Sequence, residues 1–509
     1  MSDEVLTVLP FVLVVGTALV VILADLIWPR RDELVLGIGL GGLVLALLAT
    51  LAIGPLPWEF GALSEAAWIG DPTLYRRDLL TTLLDFALIS IGILTLLFAP
   101  DYLTPRKLPM AEFTATLIFA VSGGMLIAGG QDLLVLFIGL ELLVLPGYLL
   151  AGFAKRDGLS TEGAIKYFLL GSFSSAILLF GLAFVLGYTG STQLAGITEA
   201  LAGVVDGNGA LPLALAMGLA LLAVGLLFKI AAVPFHYWTP DAYQGSPTPI
   251  TGYLSVGPKI AAFALILRVF VEGLGPLRGE WALIFGVLAG VTMTVGNLAA
   301  LGQDNIKRML AYSSIAHTGY IMVGLVVFAT APDPTVAVDG LQGVLFYSVV
   351  YAFMNLGAFA VVAALQRRPG ITSQISSFTG LGYRAPVLAL AMTVFLLSLV
   401  GIPPLAGFFA KMTVVLSALE VGGPVTLLAV LMMLNAAMAA FYYLRVVVYM
   451  YMRTPAEDAP LVSVGTVTRV GLVVAVTAVI AIGLLPAVTG AFLDWSEAAA
   501  QGLVALIDF

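Results

Sequence analysis

Residues 211–268, LPLALAMGLALLAVGLLFKIAAVPFHYWTPDAYQGSPTPITGYLSVGPKIAAFALILR, read as two membrane-spanning helices joined by a short polar turn. Each helix carries a lysine deep in apolar sequence, Lys229 and Lys259. Pro234 interrupts the first helix, and His236 follows two residues later. A lysine at the bilayer centre costs roughly 2.5–3.5 kcal/mol on insertion scales. A proline inside a helix removes a backbone hydrogen bond and clashes with the preceding turn. Apolar filler would avoid both costs, so their coincidence points to a site.

The rest of the chain has the same character. Of its 509 residues, 61% are hydrophobic and only 10% charged. Apolar runs of about 20 residues recur from end to end, long enough to cross the hydrocarbon core. Backbone groups in lipid must be satisfied internally, which leaves helices or a closed barrel. The runs are continuous rather than alternating, so the expected fold is an all-α polytopic membrane protein. There is no cysteine, which excludes disulfides, thiolate-bound iron–sulfur clusters and cysteine-bound zinc. Two histidines, His236 and His317, are too few for a haem or metal array. No basic patch suggests nucleic acid. The first apolar run, Val5 to Trp28, follows an acidic start and exceeds a signal-peptide core, so it is expected to be retained.

Fourteen spans are predicted, near 5–28, 34–54, 78–99, 110–129, 132–154, 160–188, 211–238, 249–271, 279–301, 306–329, 339–366, 385–420, 422–452 and 466–493. The twelfth is broken by Pro403 and Pro404. Loops after odd-numbered spans hold thirteen of the 22 lysines and arginines, and loops after even-numbered spans hold only Arg76, Arg77 and Arg278. Positive charge stays on the cytoplasmic side, so both termini are expected to face outward. Six basic residues remain within or at the edges of spans: Lys166, Lys229, Lys259, Arg268, Lys411 and Arg445. Arg268 and Arg445 lie near helix ends and are expected to snorkel. Lys229, Lys259 and Lys411 are too deep for that, and Lys166 is intermediate.

Helix order suggests an internal repeat. Spans four to eight and spans nine to thirteen each place a Pro-broken helix fourth. Five is odd, so the second unit enters the membrane from the opposite side, as in transporters that build a site at the midplane. The expected division is 1–109 for helices 1–3, 110–275 and 276–455 for the two five-helix repeats, and 456–509 for helix 14.

Glu141 lies ten residues into span five. An isolated buried lysine loses its proton, and a nearby carboxylate restores it. If Glu141 approaches Lys229 or Lys166, a small movement decides whether the lysine keeps its proton. Lysine suits such a switch, because arginine stays charged. His317 sits in RMLAYSSIAHTGYIM among Ser313, Ser314, Thr318 and Tyr320, which can order water or bond helix to helix. Gly123, Gly124, Gly129 and Gly130 read as close-packing positions rather than a phosphate loop.

Three runs, FKIAAVPFHYWTPDAYQGSPTPITGYLSVGPKIAAF, GNLAALGQDNIKRMLAYSSIAHTGYIMVG and GIPPLAGFFAKMTVV, resemble the antiporter-like membrane subunits of respiratory complex I. The run LFIGLELLVLPGYLL looks most like the N-type branch. Two features agree: the chain stops soon after span fourteen, without the long lateral helix of the L-type branch, and Lys411 stands where the M-type branch places a glutamate. The resemblance covers roughly residues 110–450. It implies two inverted five-helix units with flanking helices. It implies a proton pathway at Glu141, Lys166, Lys229, Lys259 and Lys411, with His236 and His317 as connecting residues. It places FMN, the iron–sulfur clusters and the quinone cavity on partner subunits, with no cofactor in this chain. The implied partners are neighbouring membrane subunits and the lipid bilayer of a bacterial inner membrane. A stand-alone or Mrp-type cation/proton antiporter shares these motifs, and a non-pumping structural module of the membrane arm is a third reading.

Overall fold

The computed structural model describes residues 3–58, 63, 66–70, 73–205, 211–368, 370–455 and 462–507; the chain ends, part of the expected orientation, lie outside them. Helices α1 (Asp3–Ile27) and α2 (Asp32–Ile53) form an antiparallel pair. An antiparallel hairpin, β1 (Ala67–Ile69) and β2 (Tyr75–Arg77), leads into α3 (Leu79–Phe98) and the single turn α4 (Pro100–Leu103). Then come α5 (Met110–Gly129), α6 (Leu133–Ala151), α7 (Gly158–Thr189) and α8 (Leu194–Val205). Next are α9 (Leu213–Lys229), α10 (Trp238–Gly245) and α11 (Thr248–Ile266), which runs on through a π-helical turn, Leu267–Gly273. The second half holds α12 (Arg278–Leu301), α13 (Ile306–Thr330), α14 (Pro334–Leu365) and the short α15 (Leu381–Arg384). It continues with α16 (Pro386–Val400), α17 (Ala406–Val421), α18 (Gly423–Met452), α19 (Thr466–Leu484) and α20 (Pro486–Val504).

Among the described residues twelve helices are long and apolar enough to span a membrane, and α9 and α16 are shorter apolar helices. Those two are the first halves of the Pro-broken spans. Lys229 ends α9, and the chain passes through Ala231, with positive φ, and Pro234 before α10 begins. Gly401, at φ +90°, ends α16, and Pro403 and Pro404 precede α17. Proline has no N–H for the helix ladder and biases the residue before it away from helical angles.

Burial grades inward. The most apolar stretches of α11 and α14 are buried along their whole length and that of α13 nearly so, while α1 and α2 bury a third of theirs. Large apolar side chains of α7, α12 and α18, such as Phe173, Leu283 and Phe441, are exposed as lipid-facing residues are. Glycine brings α5 and α6 together: a Cβ on Gly123 would stand 2.4 Å from the Leu143 backbone nitrogen. That matches its reading as a close-packing position.

Three features depart from the sequence reading. The β hairpin is an addition to an otherwise helical chain; its strands are three residues long, too short to show an alternation. The fourteenth span ends at Leu484, and after Pro486 the chain turns into α20, which packs on α14 and α3. Arg268 does not snorkel, because it is fully buried. Its guanidinium finds Asp78 and Glu272, so it need not reach for the membrane surface.

Candidate functional site

The buried α13 carries Ser313, Ser314, His317, Thr318 and Tyr320 within little more than two turns. The groups around it connect to both helix breaks. Lys259, on α11 just after Pro258, donates from Nζ to the Ser314 carbonyl at 2.6 Å and to Thr318 Oγ1 at 2.8 Å. The Thr318 hydroxyl donates in turn to the Ile230 carbonyl at 2.8 Å. Ile230 is the first residue past α9, where the helix ladder stops and a carbonyl is free to accept. Thr318 therefore joins Lys259 to the break that begins beside Lys229.

Lys229 is buried at the end of α9. Its ammonium donates to Ser175 Oγ at 2.9 Å and to the Gly171 carbonyl at 3.3 Å, both on α7. Leu140, Tyr167, Phe228, Trp238 and Pro258 line a cavity of about 10 Å³ beside it. A cavity of that size holds about one water. Glu141 follows Leu140 on α6; its Oε1 is buried and unpartnered, and no ion pair joins it to Lys229 or Lys166 among the described residues. Glu141 thus forms the expected ion pair with neither lysine among the described residues.

Lys166 belongs to a different neighbourhood. Its side chain is 43% exposed, and its ammonium bonds Glu162 at 2.6 Å and Asp241 at 2.7 Å. Asp241 also accepts from Arg308 at 2.7 Å. This charged knot ties α7 and the start of α13 to α10, the segment just past the break. His236, inside the break, is buried with Nδ1 unpartnered, and its ring stacks on Tyr237.

His317 faces the other way from Lys259. Its Nδ1 lies 2.8 Å from the Tyr347 hydroxyl of α14 and its Nε2 3.3 Å from the Tyr443 hydroxyl of α18. The Tyr443 hydroxyl also bonds Ser313 Oγ. Lys411, on α17, donates to the Leu399 carbonyl at 3.0 Å and the Val400 carbonyl at 2.6 Å. Those carbonyls close α16, so the ammonium sits at the negative end of a helix dipole. The Tyr320 ring of α13 faces it, 5.1 Å from Nζ to the ring centroid.

Five of the seven candidates, Lys229, His236, Lys259, His317 and Lys411, thus meet α13 or lie at the breaks that adjoin it. Hydroxyls donate and accept there and carbonyls accept, and among the described residues no carboxylate lies within ion-pair distance of Lys229, Lys259 or Lys411. Such groups suit passing protons.

Sequence reasoning missed several participants. Tyr347 and Tyr443 read as ordinary aromatic filler. Asn297 and Asn435, single amides inside apolar runs, carried a usable signal: Asn297 donates to the Tyr320 hydroxyl at 2.8 Å and to Asn435 Oδ1 at 3.2 Å. A second buried cluster lies off the line. Arg268 donates twice to the Ala128 carbonyl, at 2.8 and 3.0 Å, and bonds Asp78 at 3.0 Å and Glu272 at 2.8 Å; Arg76 adds Asp78 at 2.9 Å and Glu272 at 3.0 Å. Burial alone would push the Asp78 carboxyl up, but Arg268 and Arg76 beside it hold it well below the usual carboxylate range. Nearby, Arg77 and Asp85 form a fully buried pair at 3.0 Å.

Residues 130–439 match the family described as NADH:quinone oxidoreductase/Mrp antiporter, transmembrane. The chain is 44% identical, over 416 residues and 80% of each sequence, to NADH-quinone oxidoreductase subunit N 1 of Sorangium cellulosum. It is similar to a chain of respiratory complex I from Thermus thermophilus with bound aureothin, at TM-score 0.74 and 32% identity over 94% of this chain and 98% of that one. A chain of the Mrp complex from a Dietzia species matches at TM-score 0.81 with 20% identity over all of both chains, which speaks for the fold alone.

Proposed function

The chain belongs to the NADH:quinone oxidoreductase/Mrp antiporter transmembrane family, and on that premise we propose how it works. Its sequence relatives support reading it as an N-type subunit of the complex I membrane arm. The Mrp-type reading shares the fold, and the 44% identity to an N-type relative over 80% of each chain favours the complex I reading. Within the assembly the chain performs no redox chemistry. NADH oxidation, FMN, the iron–sulfur clusters and quinone reduction belong to partner subunits. Adjacent antiporter-like and small membrane subunits flank it in the lipid bilayer.

Its own part is proton translocation. Protons pass from the Glu141–Lys229 region through the first break to Lys259, past the His317 layer, and out at Lys411. Lys166 and Asp241 sit at the uptake side, His236 within the break. The two five-helix units 110–275 and 276–455 contribute one break each. Both termini face outward, in keeping with the distribution of lysine and arginine in the loops.

The observation that carries this reading is the bonding of the buried lysines. Each ammonium is held by carbonyls, hydroxyls or a ring rather than by a carboxylate, so none is locked in its charged form. The test uses intact complex in sealed vesicles. Lys411→Met should impair proton uptake per NADH oxidised, and Lys411→Glu should keep part of it. Full pumping by both variants removes Lys411 from the path. Orientation has its own check, because the chain has no cysteine. Tyr383→Cys should resist an impermeant thiol reagent applied outside intact cells, and Gly190→Cys should react; reversed labelling inverts the topology.

A further inference from the structure

Lys411 has three N–H groups and two carbonyl partners, Leu399 and Val400. The remaining direction is occupied by the face of Tyr320, with Nζ 5.1 Å from the ring centroid. A cation within about 6 Å of a ring centroid is attracted by the negative face of the ring, more strongly when both are out of water. Both are: Lys411 is 5% exposed and Tyr320 1%.

The ring is also held in place. Its hydroxyl accepts from Asn297 Nδ2 at 2.8 Å, and Asn297 Oδ1 accepts from the Tyr442 hydroxyl at 2.9 Å. Asn297 is fully buried. The arrangement fits the ammonium form, because the two carbonyls and the ring face all offer electrons.

We propose that Tyr320 is a tuning residue for Lys411: its ring is the third acceptor of the cation and sets when the proton is released. The inference rests on the reading of Lys411 as the last carrier. Among titratable groups on the helices packed against α17, Tyr320 of α13 faces Lys411, and His317 of α13, Tyr347 and Tyr351 of α14 and Tyr442 and Tyr443 of α18 join it in one layer through ring contacts and hydrogen bonds. The charged groups of those helices, Lys307, Arg308, Asp339, Arg445 and Arg469, lie toward their ends, as does Glu420 on α17 itself, and α16 carries none. His317 also meets the Tyr320 ring, edge to face at 5.4 Å, so the test must separate the two.

The experiment replaces Tyr320 in the assembled complex with phenylalanine and then with ring-fluorinated phenylalanines of increasing fluorine number. These keep the ring's shape while removing the negative charge of its face. Proton uptake per NADH oxidised is followed against pH in sealed vesicles. The alkaline limb of the profile should move stepwise to lower pH, by about one unit across the series. The same shift should persist in a His317→Gln background, whatever its rate. An unmoved limb, while Lys411→Met stops pumping, overturns the inference and leaves the pathway standing. A shift that vanishes with His317→Gln overturns it by assigning the ring to the histidine. Full pumping by Lys411→Met is the separate failure of the pathway reading, and the inference falls with it.

Discussion

One continuous helix carries two buried cations nine residues apart, Lys259 and Arg268, and their surroundings are opposite. Arg268 is wrapped by Asp78, Glu272 and the Ala128 carbonyl. Lys259 has a carbonyl and one threonine hydroxyl. A guanidinium stays charged in any protein environment, and two carboxylates bind it in place. An ammonium among neutral dipoles has little to keep its proton from leaving. Equal depth thus hides opposite partner chemistry, and the proposed pathway uses the cation that has no carboxylate.

The sharpest way to break this contrast is to exchange the outcomes of removing each cation. Arg268→Met leaves Asp78 and Glu272 sharing Arg76 alone, and loss of one partner from a buried pair costs about 3–5 kcal/mol. Assembled complex on a native gel should fall strongly. Lys259→Met removes a charge that no carboxylate needs, so assembly should stay near normal while pumping per NADH falls by more than about tenfold. If Lys259→Met fails to assemble and Arg268→Met assembles, the contrast is wrong.

A smaller change sharpens it. Thr318→Val deletes the hydroxyl between Lys259 and the Ile230 carbonyl with little change of volume. A hydrogen bond to a charged group is worth about 1.5–3 kcal/mol, so pumping should drop roughly tenfold, and Thr318→Ser should restore most of it. Equal rates for the two variants would show that the hydroxyl only packs.

The smallest effect concerns pH. Asp78 is depressed by Arg268 and Arg76, so its stabilising contribution is complete above the ordinary carboxylate pKa and is lost only as pH falls through the depressed value. The difference in melting temperature between the parent complex and Asp78→Asn should therefore be constant from pH 8 down to about pH 5. A difference that shrinks across that window would mean the clasp is loose.

Much of this was legible in the sequence. Span positions follow from apolar length: twelve of the expected ranges fall on helices long and apolar enough to cross a membrane and the two Pro-broken ones begin on the shorter α9 and α16, although the fourteenth was drawn past the break at Pro486. Pro234 and Pro403–Pro404 announced both breaks, and the depth expected for Lys229, Lys259 and Lys411 agrees with their burial in the structure. What stayed hidden depends on distant chain segments. Arg268 looked like a snorkelling residue because Asp78, 190 positions away, is invisible to local reading. Lys166 looked half-buried because the partner that draws it aside, Asp241, lies in the turn after the break. Tyr320 stood out only as a polar neighbour of His317, since its part opposite an ammonium is invisible until its face is seen there.

The Thr318 hydroxyl has one more implication. An oxygen that takes from a lysine and gives to a carbonyl can turn its proton around, since a hydroxyl both donates and accepts. The tyrosine hydroxyls beside His317 share that symmetry. A relay made of such members has no rectifier of its own. It transmits as readily backward as forward, and the direction of flow has to be imposed by the order in which the lysines at its two ends are charged and emptied. On the proposed pathway the chain is the conductor, and the ratchet is timed by the assembly that holds it.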